Sequence, residues 1–358
     1  MNKLWILLTI LLLLQYSCKE KTSYYSFNDV SLNYTGRVEL RKEKAAELYW
    51  PGTSIEIKFK GTDLNVLMKD ERGQNYYNVI IDSDSPFILY SDSIKKWYTL
   101  ASDLPFGEHT ITLFKRTEWD RGKTSIYSFS SNGKLLPPEP NLERSIEFFG
   151  NSITTGYGNE DYSGGDSPDS IFTNNYMSYA AITARHFNAE YHCTARGGIG
   201  ILVSWFPLIM PELYNRLDPL DPENLWDFKT YQPEIVVVNL FQNDSWLINM
   251  PDYPEFIHRF GTEEPSEEII IQAYKEFIIS LRSVYPDSKI ICTLGSMDAT
   301  MNDSPWPGYI NTAVEELNDN NLYTCFFPYK NTPGHPKVEE HEAMAKVLIR
   351  FIENNIDW

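Results

Sequence analysis

Histidine and cysteine are scarce in this chain, at six and four among 358 residues. Apart from Cys18, the cysteines are Cys193, Cys292 and Cys325, an odd set on apolar, strand-like segments. No pair has metal-ligand spacing and no disulfide framework is implied, so buried free thiols acting as small apolar residues are expected. Basic residues are also outnumbered, with 31 Lys and Arg against 49 Asp and Glu and a formal net charge of −18. That balance argues against nucleic acid or an anionic membrane surface as a partner and suits neutral substrates. Long apolar runs are missing, with the exception of Leu4–Leu14 behind Lys3. Such a run is too short to span a bilayer comfortably but fits the core of a secretory signal.

That run ends in Gln15-Tyr16-Ser17-Cys18, followed by the charged Lys19-Glu20-Lys21. A cysteine behind a small residue at this point resembles a bacterial lipoprotein signal, which on cleavage leaves Cys18 as a lipidated terminus. Gln15 and Tyr16 depart from the stricter form of the signal. An ordinary cleaved signal peptide and an uncleaved anchor stay open beside it, and all three readings export the protein, to a bacterial periplasm or cell surface. Residues 1–18 are therefore set aside from the fold, and membrane contact is expected only through the lipid at Cys18.

What is abundant is aromatic. Nine Trp, 23 Tyr and 19 Phe make up 14% of the chain, a composition compatible with stacking of sugar rings as well as with core packing. The length suits two domains. From about residue 30 to 130, short runs of period-two alternation such as Ser54–Lys60 are separated by turn signals, including Gly61-Thr62-Asp63, Arg72-Gly73 and Pro105–Gly107. Seven or more such strands predict a jelly-roll-like β-sandwich over residues 24–135. Pro137-Pro138-Glu139-Pro140 marks a boundary. Over 143–358 strands alternate with helices, with strands at Ile146–Gly150, Glu190–Cys193, Ile235–Leu240, Lys289–Leu294 and Tyr323–Phe327. Helices are predicted near Tyr176–Phe187, Glu267–Tyr285 (capped by Ser266), Tyr309–Asn318 and Val338–Asn354. Fully apolar strands such as Ile235–Val238 predict a doubly wound parallel sheet covered on both faces, with its ligand site at the carboxyl ends of the strands.

Three strand ends line up with Ser152, which sits in Gly150–Gly158 directly after an apolar strand. The second strand leads into Ala195-Arg196-Gly197-Gly198-Ile199-Gly200, a turn able to aim a backbone N–H outward. The third leads into Phe241-Gln242-Asn243-Asp244, whose Asn amide can donate to an oxyanion. Before the last helix comes Gly334-His335-Pro336, a loop imidazole. A serine, a base for its proton and preorganised N–H donors are the parts of acyl transfer.

The order Gly-x-Ser, glycine turn, Asn-Asp, His resembles the SGNH (GDSL-type) hydrolases. The finer pattern is similar to carbohydrate esterase family two, in Tyr49–Thr53, Gly107–Thr110, Lys115–Glu118, Ile146–Glu160, Val236–Leu240 and His335-Pro336 with His341 beyond. The resemblance implies a jelly-roll followed by an SGNH hydrolase domain. It implies Ser152 as nucleophile, His335 as general base, Asn243 and the N–H of Ser152 as oxyanion donors, and no metal or cofactor. Gly200 is the best match for the remaining backbone donor, with Gly198 as the other register. The activity implied is removal of acetyl groups from plant polysaccharides such as xylan and glucomannan. Asn151 stands where the superfamily usually has Asp, and Phe241 where it usually has Gly. Pro333 and Thr332 occupy the positions of the acid that orients the histidine, so a Ser–His dyad with a backbone carbonyl on the imidazole is expected. A weakly catalytic or inactive carbohydrate-binding surface lipoprotein and a lipid or short-chain esterase are the alternatives.

The other histidines, His109, His186, His192, His258 and His341, are expected to pack, cap or lie on the surface. Trp246 is the chosen aromatic for the acceptor cleft, whereas Trp205, Tyr214 and Trp226, in a long insertion without periodicity, are expected to pack. The acid-rich loop Asn159–Asp169 fits no calcium loop and is expected to be solvated.

Overall fold

The structure is a computed structural model that describes residues 22–358 except 43 and 141; the Leu4–Leu14 run and Cys18 lie outside the described residues. Its first part is two antiparallel six-stranded sheets enclosing one apolar core. Ser54–Gly61 shows why: Ile55, Ile57 and Phe59 are fully buried while Ser54, Glu56, Lys58 and Lys60 alternate outward, the period-two pattern of a half-buried strand. Their counterparts from the facing sheet are Leu64, Val66 and Met68 of Leu64–Asp70. Strands also form at Ser23–Ser26, Leu32–Thr35, Val38–Glu39, Ala46–Leu48 and Lys134–Leu135, too short to show a period in the sequence.

The second part is a five-stranded sheet with every pair parallel. Its strands are β1 (Arg144–Gly150), β2 (Ala189–Ala195), β3 (Ile235–Asn239), β4 (Lys289–Leu294) and β5 (Leu322–Phe326). They lie in the order β2-β1-β3-β4-β5. The principal helices are α1 (Ser152–Thr155), α2 (Tyr179–His186), α3 (Gln242–Leu247), α4 (Glu267–Val284), α5 (Trp306–Leu317) and α6 (Val338–Asn355). Alternate residues of β1, β3, β4 and β5 feed opposite cores. Phe149, Val236, Val238 and Cys292 meet α4 and α5, while Phe148, Val237 and Ile291 meet α2 and α6. In α4, Ile270, Tyr274, Phe277, Ile278 and Leu281 are buried at helical spacing, each contributing about 1.5–3 kcal/mol by leaving water. Ser266 stands at the predicted N-cap in extended conformation, but its side chain makes no capping hydrogen bond.

The two parts share a buried junction. Arg37 of the sandwich reaches Glu147 of β1 at 2.9 Å, and neither side chain is more than 1% exposed. Glu147 also accepts from Thr194 at 2.9 Å and from the Tyr285 hydroxyl, while Arg37 donates to the carbonyls of Tyr214 and Arg216. Trp50 Nε1 donates to Leu217 O at 2.8 Å. A paired charge this deep is strongly destabilising to break, by about 3–5 kcal/mol. Cys193, Cys292 and Cys325 are buried free thiols, and burial raises the first two to a pKa of about 12. No helix among the described residues is long and apolar enough to cross a membrane.

Candidate active site

The sheet order β2-β1-β3 places a topological switch point between β1 and β3, where ligands bind in open α/β sheets. Ser152 follows β1 and Asn243 follows β3, and Gly150 pairs with Asn239 and Ala195 on its two sides. Locally, the Asn151 side chain accepts the Ile153 N–H at 3.0 Å and Gly156 closes α1 in the left-handed region. The serine is thereby presented at the first position of a one-turn helix. Its hydroxyl lies 2.9 Å from His335 Nε2.

The other imidazole nitrogen corrects the expected dyad. His335 Nδ1 lies 2.8 Å from Asp166 Oδ2, and Asp166 also accepts the His335 backbone N–H at 2.9–3.0 Å. The acid that Thr332 and Pro333 do not supply comes from the acid-rich loop expected to be solvated. Asp161 shapes that loop by accepting the N–H groups of Ser163 at 2.9 Å and Ser167 at 2.6 Å. Asp166 itself sits at φ 48°, and Gly334 at φ 71°. A Cβ on Gly334 would lie 2.6 Å from Asp166 Oδ1, so only glycine lets the carboxylate lie over the loop that carries His335. The hydrogen bond and charge of His335, with Lys337 Nζ at 3.1 Å, hold the Asp166 carboxyl well below the usual carboxylate range. Tyr157 packs edge-on against the imidazole, with 4.9 Å between ring centroids.

The two N–H groups of the glycine turn differ in their partners. Gly200 N–H is committed to Ser204 Oγ at 2.9 Å in a buried position, so it does not face the serine. Gly198 N–H has no partner among the described residues, and its neighbour Gly197 has its Cβ position 3.5 Å from Ser152 Cβ. Of the two registers, Gly198 rather than Gly200 keeps an N–H free of partners among the described residues. Asn243 Nδ2 donates to Ile199 O at 2.8 Å, and Asn243 Oδ1 accepts from Trp205 Nε1 at 3.1 Å. These bonds fix the amide and leave one of its two N–H groups unengaged among the described residues. Asp244 ties the same loop down by accepting from Ile201, Leu202 and Val203 at 2.7–3.1 Å, and burial pushes its pKa up to about 6. Phe241 takes φ 81°, a conformation costing about 1–2 kcal/mol for a non-glycine residue. Ring contacts with Tyr274 at 4.9 Å and Trp306 at 5.0 Å hold it there.

Trp246 lines a cleft of about 690 Å³ with Asp298, Met301, Trp306 and Tyr329, and its Nε1 donates to Asp298 at 2.6 Å. A smaller depression continues past Trp246 to Gly334, next to His335. Trp205 is 38% exposed beside the glycine turn, whereas Tyr214 packs against the core and Trp226 against Arg37. His341 is buried, stacked on Tyr179 and accepting its N–H at 3.2 Å. His192 stacks on Tyr231, His109 pairs with Asp82 in the sandwich, His186 pairs with Glu353, and His258 is exposed on the helix Pro254–Phe260. No group of three or more His, Cys, Asp or Glu among the described residues is arranged to hold a metal ion.

Residues 34–140 match the model of the carbohydrate esterase 2 N-terminal family. A family two carbohydrate esterase from Clostridium thermocellum, solved in complex with cellohexaose, is 33% identical. It matches over 91% of this chain and 99% of its own, with a TM-score of 0.81. The chain belongs to carbohydrate esterase family two. It is accordingly a serine ester hydrolase with the SGNH-type fold. Among curated relatives, the acetylxylan esterase / glucomannan deacetylase of Cellvibrio japonicus is 24% identical over 96% of this chain and 94% of its own length. The cellulase/esterase CelE of Acetivibrio thermocellus is 33% identical over 91% of this chain. The chain spans only 39% of the length of CelE.

Proposed function

We propose that this family two esterase is an exported carbohydrate O-acetyl esterase that removes acetyl groups from plant polysaccharides such as xylan and glucomannan. The observation that carries the reading is the continuous line from Ser152 Oγ through both nitrogens of His335 to Asp166. Ser152 Oγ attacks the acetyl carbonyl as His335 Nε2 takes its proton, and the imidazolium is held by the Asp166 carboxylate. The oxyanion is received by the N–H groups of Ser152 and Gly198 and the unengaged Asn243 N–H. Collapse expels the sugar oxygen, which leaves as a hydroxyl by taking the proton from His335. Water, deprotonated by the same imidazole, then attacks the acetyl-serine, and collapse returns that proton to Ser152 Oγ and releases acetate. None of these steps calls for a metal or cofactor.

The names of the relatives support xylan and glucomannan as substrates, and the Trp246 cleft supports a polymer lying beside the reacting ester. The crossing of the chain between the two antiparallel sheets at most successive strands supports a jelly-roll for the first domain. The signal-like segment ending at Cys18 supports export and a lipid anchor. Asp166 removes the reason for preferring a purely binding protein, which was the missing acid. Acetate release measured over a panel of acetylated xylan, glucomannan and cellulose, beside Ser152→Ala, tests the reading. Release from at least one glycan and none from the variant is expected; no release from any of them, with wild-type protein folded, overturns it.

A further inference from the structure

The sandwich motif Lys115–Glu118 stands out by resemblance alone, and the acyl transfer from Ser152 leaves its chemistry unused. Glu118 lies just past the strand Gly107–Lys115, yet its carboxyl group is buried in the second domain. One oxygen accepts the Thr155 hydroxyl at 2.8 Å and the other the Gly197 N–H at 2.6 Å. Thr155 closes the nucleophile's own turn, with its hydroxyl 2.9 Å from Ser152 O. Gly197 immediately precedes the unpartnered Gly198 N–H. A single carboxylate thus bridges the turn that presents the nucleophile and the turn that presents an oxyanion donor.

The loop is stiff enough to act as a support. Lys115 Nζ is buried and donates to Thr117 O at 2.7 Å and Glu118 O at 3.2 Å. The next residue, Trp119, enters the core shared with Phe149 and Ile199, and Arg196 lies over its ring at 4.7 Å. We infer that Glu118 is a positioning residue, carried in by the sandwich, that sets the Gly197-Gly198 peptide against Ser152 and so completes the oxyanion site from the other domain. This rests on Ser152 being the nucleophile. It also gives the sandwich a part in the reaction itself. An oxyanion donor works only when held within about half an ångström of its productive place, and losing one costs on the order of 100-fold in kcat.

Burial, with Asp120 nearby, pushes the Glu118 pKa up to about 7, so a neutral side chain of the same shape is a fair replacement. In Glu118→Gln the amide oxygen accepts from Gly197 while the amide nitrogen donates to Thr155 Oγ1, which keeps its bond to Ser152 O. In Glu118→Asp the charge stays but the reach is lost.

The test compares wild type, Glu118→Gln, Glu118→Asp, Glu118→Ala and Ser152→Ala. For each, kcat and KM are measured on 4-nitrophenyl acetate, with inhibition by a small alkylboronic acid that mimics the tetrahedral adduct, and the folded fraction is checked by circular dichroism. Asp and Ala should lower kcat about 10- to 100-fold with KM within about twofold, and weaken the boronate in parallel. Gln should stay within about fivefold of wild type. Wild-type kcat in a folded Asp or Ala variant overturns the inference, as does a Gln variant as impaired as Ala. Should Ala fail to fold, Asp and Gln decide it. Activity surviving in Ser152→Ala would instead overturn the nucleophile assignment and the inference with it.

Discussion

Asp166 is the residue whose role is most exposed to test, because Asp166→Asn removes its charge and keeps its shape. The Asn oxygen still accepts from the His335 N–H groups, but the amide NH2 takes the Oδ1 place beside Lys337 Nζ, so the melting temperature should fall modestly and kcat is compared on folded protein. What is lost is the negative charge facing the imidazolium that forms in the transition state. Two unit charges about 4 Å apart attract by about 4 kcal/mol at an effective dielectric near 20. Asp166 is 24% exposed and shares its charge with Lys337, and solvent screening lowers the useful part, leaving about 2–3 kcal/mol. That corresponds to a kcat about 30- to 150-fold lower, with KM for 4-nitrophenyl acetate within about threefold. Because the native carboxyl is held well below its usual range, its charge is present throughout pH 5–8 and the deficit should not vary there. A variant within about threefold of wild-type kcat would refute the reasoning and return the imidazole to a dyad held by the backbone.

Other perturbations address the surroundings. Gly334→Ala puts a methyl 2.6 Å from Asp166 Oδ1 at a left-handed φ, and kcat should fall at least about tenfold, as loss of the acid would do; wild-type kcat would show that the loop shifts freely. Trp246→Ala should raise KM on acetylated xylan about 3- to 10-fold, the value of one aromatic stacking contact, while KM on 4-nitrophenyl acetate stays unchanged; equal effects on both substrates would remove it from the cleft. Burial, together with the charges of His335 and Lys337, depresses the His341 pKa from 6.5 to about 3. Its folded pKa lies below the unfolded one, so its contribution is complete above about pH 6.5 and is lost as pH falls towards 3. That amounts to about 3 kcal/mol between pH 7 and pH 4. Thermal melts of His341→Gln should lose correspondingly less stability over this interval than wild type, and parallel curves would contradict the assignment.

Much of this was legible because it depends on local pattern. The second-domain strands show as apolar runs, α4 as a helical stripe, and Ser152, Asn243 and His335 as polar residues at strand ends and a pre-helical loop. What could not be read depends on three-dimensional meeting. Asp166 lies 169 residues before its histidine, in a loop without periodicity and far from the expected positions 332 and 333. The available signal was an acid-rich, glycine-bearing loop bordering the nucleophile. Gly200 and Gly198 differ only in which N–H finds Ser204, a contact no spacing rule reveals. Tyr49–Thr53 and Lys115–Glu118 stood out by resemblance, but their reason is the junction, where Trp50 and Glu118 reach into the other domain.

The central claim is that Ser152 is the acyl-transfer nucleophile activated by His335 and Asp166. Stoichiometric labelling with a reactive organophosphate, located by peptide mass spectrometry, tests it most directly. One label per chain is expected on Ser152, none in Ser152→Ala, and slowed labelling in His335→Ala and Asp166→Asn. Label on another residue with activity lost, or full esterase activity after Ser152 has been labelled, would contradict it.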